Sequence, residues 1–261
     1  MKSKPFIRQK THHCGPWNKK AKYIEVDIFE YTETSKRTRR RKEYLTPPKI
    51  QNLNDKNARR YFILLVKSNF SEGDIHLVLT YKKEKRPVTL EDGEHEVTKF
   101  LRRLKTIYKK AGISKVEYIY VTEAGKNGTN VHHHVLLKNV GIDRDIIENC
   151  WTSKGLGWAD AKRIIESENG IENLAGYLQK DAAGKKRWKN SKGMVRPWLS
   201  VSDGKHSRRK IDKLAQLPPD CEAVKEFWEK QYPGYALYEC QHYFNPVAAQ
   251  WSIYLKMRLR R

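Results

Sequence analysis

The sequence predicts an α+β fold in which helices pack against a sheet. Along the middle of the chain, segments with apolar residues at helical spacing follow segments in which apolar and polar residues alternate. Two neighbouring strand patterns are separated by a turn rich in Gly and Asn, which predicts an antiparallel hairpin. Helices layered on a sheet bury both kinds of apolar face, and the pattern alone also allows an α/β sandwich.

The predicted strands are β-branched or aromatic segments bounded by turn residues. They lie at residues 23–31, 75–81, 116–123, 131–138 and 159–165, and two aromatic-rich candidates follow after residue 231. The predicted helices carry apolar residues three and four apart, with capping residues before them or Gly after them. They lie at residues 54–70, 94–111, 144–151, 171–182 and 223–231.

These elements predict one compact domain with an extension on each side. Residues 1–55 begin with basic residues and contain the run KRTRRRK at 36–42, which is typical of a solvated N-terminal extension. Residues 56–215 form the main domain. Residues 216–261 form a C-terminal extension that packs on or next to that domain.

The composition predicts a polyanionic partner. The chain has 261 residues, with 53 Lys and Arg against 30 Asp and Glu, and its formal net charge is +23. This charge is far larger than solubility requires in a protein of this size. Fourteen Tyr and seven Trp are interleaved with the charge, which suits a surface where bases stack on rings and cations follow phosphates. Nucleic acid is therefore the expected partner.

Cysteine usage and hydropathy indicate a soluble protein of the bacterial or host-cell cytoplasm, without a membrane partner. The 4 cysteines form no CxxC pair, so neither a disulfide scaffold nor a standard zinc ribbon is expected. No apolar run reaches the length of a membrane helix or a secretory signal. A zinc site remains an alternative, with ligands drawn from His12, His13, Cys14, Cys221, Cys240 and His242.

The hairpin brings together residue types that bind metal ions. Because side chains two apart on a strand share a face, His132 and His134 project together and His133 points away. The partner strand ends at Glu123, whose carboxylate is expected beside the two imidazoles. Two histidines and one carboxylate leave coordination positions open, which is typical of catalytic metal sites. An isolated His-x-His pair is more often part of a packed core, so the other motifs decide its interpretation.

A tyrosine and a lysine stand three residues apart on a predicted helix downstream. Tyr177 and Lys180 therefore lie on one face of that helix. By itself this spacing is more typical of an ordinary amphipathic helix. Combined with Glu123, the His-x-His pair and the positive charge, it predicts a tyrosine close to a metal site.

Three ordered motifs carry a resemblance to a known superfamily. IHLVLTY, YVTEAGKNG followed by VHHHVLL, and LAGYLQK resemble the motifs of the HUH endonuclease superfamily. Over roughly residues 60–200 the chain is similar to the rolling-circle replication initiators (Rep) of plasmids and filamentous-phage-type elements. The resemblance implies a ferredoxin-like HUH endonuclease core with a central antiparallel sheet and helices packed on it, plus N- and C-terminal extensions.

The chain departs from the superfamily pattern at position 133, where an apolar or aromatic residue is expected. The alternatives are therefore that His133 binds with His134 or that His132 binds alone, although strand alternation favours His132 with His134. Relatives with two catalytic tyrosines carry them a few residues apart. Here Asn173 and Asp181 occupy the positions four residues to either side, so the resemblance implies a one-tyrosine enzyme.

The resemblance also implies the reaction. Glu123, His132 and His134 hold a divalent metal, Mn²⁺ or Mg²⁺, and Tyr177 attacks the scissile phosphate. Lys180 stabilises the phenolate or the developing negative charge. The product is a covalent 5′-phosphotyrosine, through which the enzyme nicks and religates single-stranded or hairpin origin DNA. Because no GxxxxGK[ST] motif occurs, a host helicase and polymerase are the expected partners.

Basic segments outside this group are candidates for DNA contact, and solvated surface is the alternative for each of them. The candidate residues are Arg39, Arg40, Arg41, Lys185, Lys186, Arg187, Lys192, Arg208 and Arg209.

Three other functions remain open. An HUH transposase or a small relaxase uses the same chemistry, although the chain length and the single tyrosine favour an initiator. A non-catalytic basic DNA- or RNA-binding regulator explains the charge without the histidines. A non-haem iron oxygenase uses similar ligands, but its second histidine is normally distant in sequence.

Overall fold

The computed structural model describes residues 4–32, 48–125, 130–166, 171–179 and 188–260. Within these ranges the chain forms ten strands and six α-helices. The strands are β1 (Phe6–Cys14), β2 (Tyr23–Tyr31), β3 (Ile75–Leu79), β4 (Tyr118–Glu123), β5 (His132–Leu137), β6 (Ala159–Arg163), β7 (Lys189–Asn190), β8 (Trp198–Asp203), β9 (Tyr235–Asn245) and β10 (Gln250–Leu259). The helices are α1 (Pro48–Asn69), α2 (Leu90–Lys110), α3 (Arg144–Thr152), α4 (Glu172–Tyr177), α5 (Arg208–Ala215) and α6 (Glu222–Gln231).

The predicted α+β class with antiparallel sheet is confirmed. The strands form two antiparallel five-stranded sheets. The chain divides into two compact units, Asn69–Met194, here called the central unit, and Met1–Ser68 with Val195–Arg261, here called the terminal unit. The sequence had suggested boundaries after residues 55 and 215. None of the described helices is long and apolar enough to cross a membrane.

The sheet of the central unit has the strand order of a ferredoxin-like core. The elements follow one another as β3-α2-β4-β5-α3-β6, and the strands lie in the order β6-β3-β5-β4, with β7 added at the β4 edge. All of these neighbouring strands are antiparallel. This is the split βαβ arrangement, which places two crossover helices on one face of the sheet.

The core of the central unit fills the space between the sheet and its helices. Alternate residues of the strands, such as Leu77 and Val135, are fully buried together with Phe100 of α2 and Trp151 of α3. Helix α2 begins with a capping box in which Thr89 and Asp92 satisfy each other's backbone N–H groups. Apolar side chains therefore fix one face of the sheet, and the other face is left for the site.

The sheet of the terminal unit joins strands from the two ends of the chain. Its order is β8-β1-β2-β10-β9, and Ile28 of β2 pairs with Ile253 of β10. Alternate apolar residues of these strands pack against α5 and α6, with Trp228 fully buried among them. Residues 1–55 and 216–261, which were expected to be extensions, supply four of the five strands.

Several elements differ from the sequence prediction, among them β1, α5 and α4, and the strands β7 and β8 were not predicted either. Strand β1 was not predicted, because its buried face carries the polar residues Gln9 and Thr11 and therefore lacks apolar alternation. Helix α5 lies in a stretch expected only to be basic, since its buried face is short. Helix α4 ends at Tyr177 instead of continuing to 182. Gly176 in its last turn weakens the helix there.

Candidate active site

The hairpin of β4 and β5 sets the geometry of the site. Glu123 pairs in register with His132, and Val121 pairs with His134. Because side chains alternate along a strand, Glu123, His132 and His134 share the face opposite to α2 and α3. The Glu123 Oε2 atom lies 3.4 Å from His132 Nε2 and 3.9 Å from His134 Nε2. The predicted hairpin thus brings the three candidate ligands together.

Within the described part of the chain, these three residues form the one group of His, Cys, Asp or Glu side chains with metal-binding spacing. One potential ligand atom from each lies within 4.8 Å of the others. Two donors bound to one ion at about 2.1 Å are roughly 3.0 to 3.5 Å apart, so a small adjustment of side chains would suffice. The alternative zinc ligands, such as Cys221 and Cys240, do not form such a group among the described residues.

His133 lies on the opposite face and has a structural role. Its ring is fully buried, with Nε2 lying 2.8 Å from the Tyr81 hydroxyl and Nδ1 lying 2.9 Å from Thr122 Oγ1. It also packs edge-on against Trp151. Burial lowers the pKa of His133 to about 3, so the ring is neutral. Both ring nitrogens have partners in the core, which leaves His132 and His134 as the pair that faces Glu123.

The contacts of the two ligand histidines orient their lone pairs towards Glu123. His132 Nδ1 lies 2.9 Å from the carbonyl oxygen of Asn130, so its Nδ1–H group donates a hydrogen bond to that oxygen and the lone pair is on Nε2. His134 Nε2 and Glu123 Oε1 are buried and have no hydrogen-bond partner among the described residues. Buried polar atoms without partners are costly. A cation between them would satisfy both, so the donor set fits a metal ion.

His76 supports His134 from the neighbouring strand β3. Its Nε2 atom lies 3.2 Å from His134 Nδ1. Burial, and then the proximity of His134, lower the pKa of His76 to about 4, so the ring is neutral and its Nε2 can accept a hydrogen bond from the Nδ1–H group of His134. This hydrogen bond holds the lone pair of His134 on Nε2, as partners of metal-bound histidines commonly do. His76 is not among the predicted site residues, and its one signal in the sequence is a histidine that alternates with the apolar residues of a strand.

Tyr177 stands beside the Glu123, His132 and His134 group. It is the last residue of α4, which is anchored by buried Ala175 and followed by buried Leu178. Its side chain is 55% exposed, and its ring lies edge-on to His134 with the centroids 5.6 Å apart. A solvent-accessible phenol is thus placed next to the candidate ligands. Lys180 lies outside the described residues.

The basic residues proposed for DNA contact are spread over both units. Lys192 is exposed in a turn of the central unit, and Arg209 is exposed on α5 of the terminal unit. Arg208 forms ion pairs with Glu30 and Asp212 within the terminal unit, so its charge is partly neutralised there. The other candidates lie outside the described residues: Arg39, Arg40, Arg41, Lys185, Lys186 and Arg187.

One comparison with known proteins gives a match. Residues 74–182 match the family model described as replication-associated protein ORF2/gene 2 protein. The matched segment begins just before β3 and contains Glu123, His132, His134 and Tyr177. No curated protein and no solved structure matches the chain. The family match supports a replication-initiator role and is consistent with binding of origin DNA.

Proposed function

We propose, from the replication-associated family match of residues 74–182, that this chain nicks and rejoins single-stranded origin DNA and so starts rolling-circle replication of a plasmid, phage or mobile element. The observation that carries the proposal is the exposed Tyr177 ring beside His134, which itself belongs to the Glu123, His132 and His134 group. A nucleophile next to a convergent ligand set is the arrangement that metal-assisted phosphodiester cleavage needs.

The ligand group has a defined part in this reaction. Glu123, His132 and His134 would hold Mn²⁺ or Mg²⁺, which supplies Lewis-acid polarisation of the phosphate when bound. His76 keeps the His134 lone pair directed towards Glu123. Two imidazole nitrogens and a carboxylate oxygen suit Mn²⁺ better than Mg²⁺, because Mg²⁺ prefers oxygen ligands alone.

Tyr177 is the nucleophile of the proposed reaction. Its phenolic oxygen forms a bond to phosphorus while the bond from phosphorus to the 3′ oxygen breaks. The phenol loses its proton to solvent or to a nearby base, and the departing 3′ oxygen takes up a proton from solvent or from that base and leaves as a hydroxyl. Lys180 is proposed from the sequence to stabilise the phenolate or the developing charge. One phosphodiester bond is exchanged for another, so the reverse reaction rejoins the strand without ATP.

The test of this function is formation of a covalent adduct. Full-length protein is incubated with single-stranded DNA from its own genetic element, with Mn²⁺ or with EDTA, and run on a denaturing gel. We expect an adduct with Mn²⁺ that is absent with EDTA. The Tyr177→Phe variant should form none, because it retains the ring and lacks the nucleophilic oxygen.

Tyr118→Phe is the matched control, because it removes a hydroxyl from a partly buried tyrosine of β4. It should form the adduct at the wild-type rate. An adduct that persists in Tyr177→Phe would overturn the assignment of the nucleophile. Salt-sensitive DNA binding with no adduct on any origin-bearing strand would favour the non-catalytic regulator.

A further inference from the structure

The terminal unit has an open groove on the sheet face opposite to α5 and α6. Side chains of β1 and β2 that alternate with the buried core residues, including Lys10, Asp27 and Phe29, line the groove. Residues of α1, among them Arg60 and Tyr61, line another part of it. Its volume is about 860 Å³, within the range of pockets that hold small ligands.

Aromatic rings from several elements line the groove. Phe29, Tyr61, Tyr243 and Tyr254 come from four different elements and meet at this groove. Tyr61 is 39% exposed and Tyr243 is 53% exposed, so ring surface of both remains accessible to solvent. Planar rings at an open groove offer faces on which nucleic-acid bases stack, with little dependence on sequence.

The two cationic side chains that line the groove differ in their ion pairing. The lining has two cationic side chains, Lys10 and Arg60, and one carboxylate, Asp27. Arg60 is held by ion pairs of 3.0 Å to Glu25 and 2.9 Å to Asp27. Lys10 forms no ion pair within the described ranges, and its ammonium lies 5.4 Å from the Phe29 ring. A cation beside aromatic rings suits a phosphate whose base is stacked nearby.

We infer that this groove binds a short segment of single-stranded DNA, with bases stacked on Tyr61 and Tyr243 and a phosphate at Lys10. Duplex DNA does not fit this chemistry, because its bases are already stacked on each other. The choice of DNA as the occupant rests on the proposed function. The binding site itself goes beyond that function, since it lies in the terminal unit and contains none of the nicking residues.

The experiment measures binding of a labelled single-stranded oligonucleotide by fluorescence anisotropy. The protein is the full chain with Tyr177→Phe, in EDTA, so that no adduct forms whether or not the chain nicks DNA. We expect Tyr61→Ala to weaken binding roughly tenfold, the size of the loss of one stacked base. Lys10→Gln should reduce the slope of log K against log salt by about 0.7, which corresponds to one phosphate contact on a single strand.

Matched controls remove similar groups outside the groove. Trp17→Ala removes an 82% exposed ring of the same unit, and Lys225→Gln removes a cation whose side chain is 47% exposed on α6. Tyr61→Leu, which keeps apolar bulk, replaces Tyr61→Ala if thermal melting shows that the alanine variant is destabilised. Groove variants that bind no more weakly than these controls would overturn the inference.

Photo-crosslinking locates the DNA independently of affinity. Single-stranded DNA carrying 5-iodouracil is irradiated with the same Tyr177→Phe protein, and the crosslinked peptides are identified by mass spectrometry. We expect peptides that contain Tyr61 or Tyr243. Crosslinks confined to residues 69–194 would refute the groove, whereas the adduct assay decides separately whether the chain nicks DNA.

Discussion

At the scale of single residues, His76 is predicted to set the metal affinity of the site. Its Nε2 atom is 3.2 Å from His134 Nδ1, and partners of this kind typically change metal affinity by roughly 10- to 100-fold. We expect His76→Ala to weaken Mn²⁺ binding by about that factor, because His134 loses the contact that fixes its tautomer. Isothermal titration calorimetry of the full chain measures the change.

The exposed His95 on α2 provides the control. His95→Ala should leave the Mn²⁺ affinity unchanged, since His95 is not part of the group that could hold the ion. Equal affinities in wild type and His76→Ala would show that the contact between the two rings does not position His134.

Strand periodicity predicts some residues of the site and not the roles of others. The positions of Glu123, His132 and His134 follow from the register of one hairpin, whose two strands are close in sequence. The role of His133 depends on Tyr81, which lies 52 residues away. His76 lies on β3, which becomes a neighbour of β5 only in the folded sheet, and its role depends on that pairing. Contacts between distant segments are absent from a local pattern.

At the scale of elements, Gly157 is predicted to be required where the chain enters β6. A Cβ atom there would lie 2.1 Å from the carbonyl oxygen of Thr80, a backbone atom that cannot move aside without disturbing the chain that follows β3. We expect Gly157→Ala to destabilise the protein by about 1–3 kcal/mol, as overpacking generally does. Thermal unfolding by circular dichroism gives the measurement.

Lys154→Ala is the control for that substitution, because Lys154 is exposed in the turn that precedes Gly157. It should change the melting temperature little. A Gly157→Ala variant with the same melting temperature as the control would mean that β6 can shift away from β3 at a small cost in free energy.

Elements with a regular apolar face could be predicted from the sequence, and those with a mixed face could not. Helix α2 has apolar residues such as Val97, Leu101 and Leu104 at helical spacing, and the helix was predicted within a few residues. Strand β1 buries Gln9, which lies 3.2 Å from His206, far away in sequence. Without that distant partner, the polar residues on its buried face look like those of a solvated extension.

At the scale of the whole molecule, a buried charge cluster is predicted to make the terminal unit sensitive to acid. Burial alone would raise the pKa of Glu25, but Lys67 and Arg60 outweigh it and lower the pKa below its usual 4.5. A carboxyl with a lowered folded pKa stabilises the fold above its unfolded pKa and loses that contribution as the pH falls through the folded pKa. We therefore expect stability to decline below about pH 4.5.

Denaturant unfolding between pH 7 and pH 3 tests this dependence. Glu25→Gln should be less stable at pH 7, because the side chain of Lys67 is 0% exposed and loses a charged partner. Its stability should also change less over the acid range than that of the wild type. Parallel pH profiles for the two proteins would assign the acid sensitivity to other carboxyls.

The order of helices and strands in the central unit could be predicted from the sequence. The set of strands that forms the terminal sheet could not. The βαββαβ order of the central unit is local and continuous in sequence. The terminal sheet instead pairs β1 with β8 and β2 with β10, and the two strands of each pair lie far apart in the sequence. No pattern within a segment specifies such a partner, so these strands were interpreted as extensions.

The pairing of β2 with β10 has a consequence for synthesis of the protein. A ribosome makes β2 roughly 220 residues before β10, a delay of about 10 to 45 s at ordinary elongation rates. During that time the β2 edge has no partner from β10, and every strand of the central unit is synthesised before β10. We expect the nascent chain to order its central unit first and to need protection of the unpaired edge until the final strand arrives.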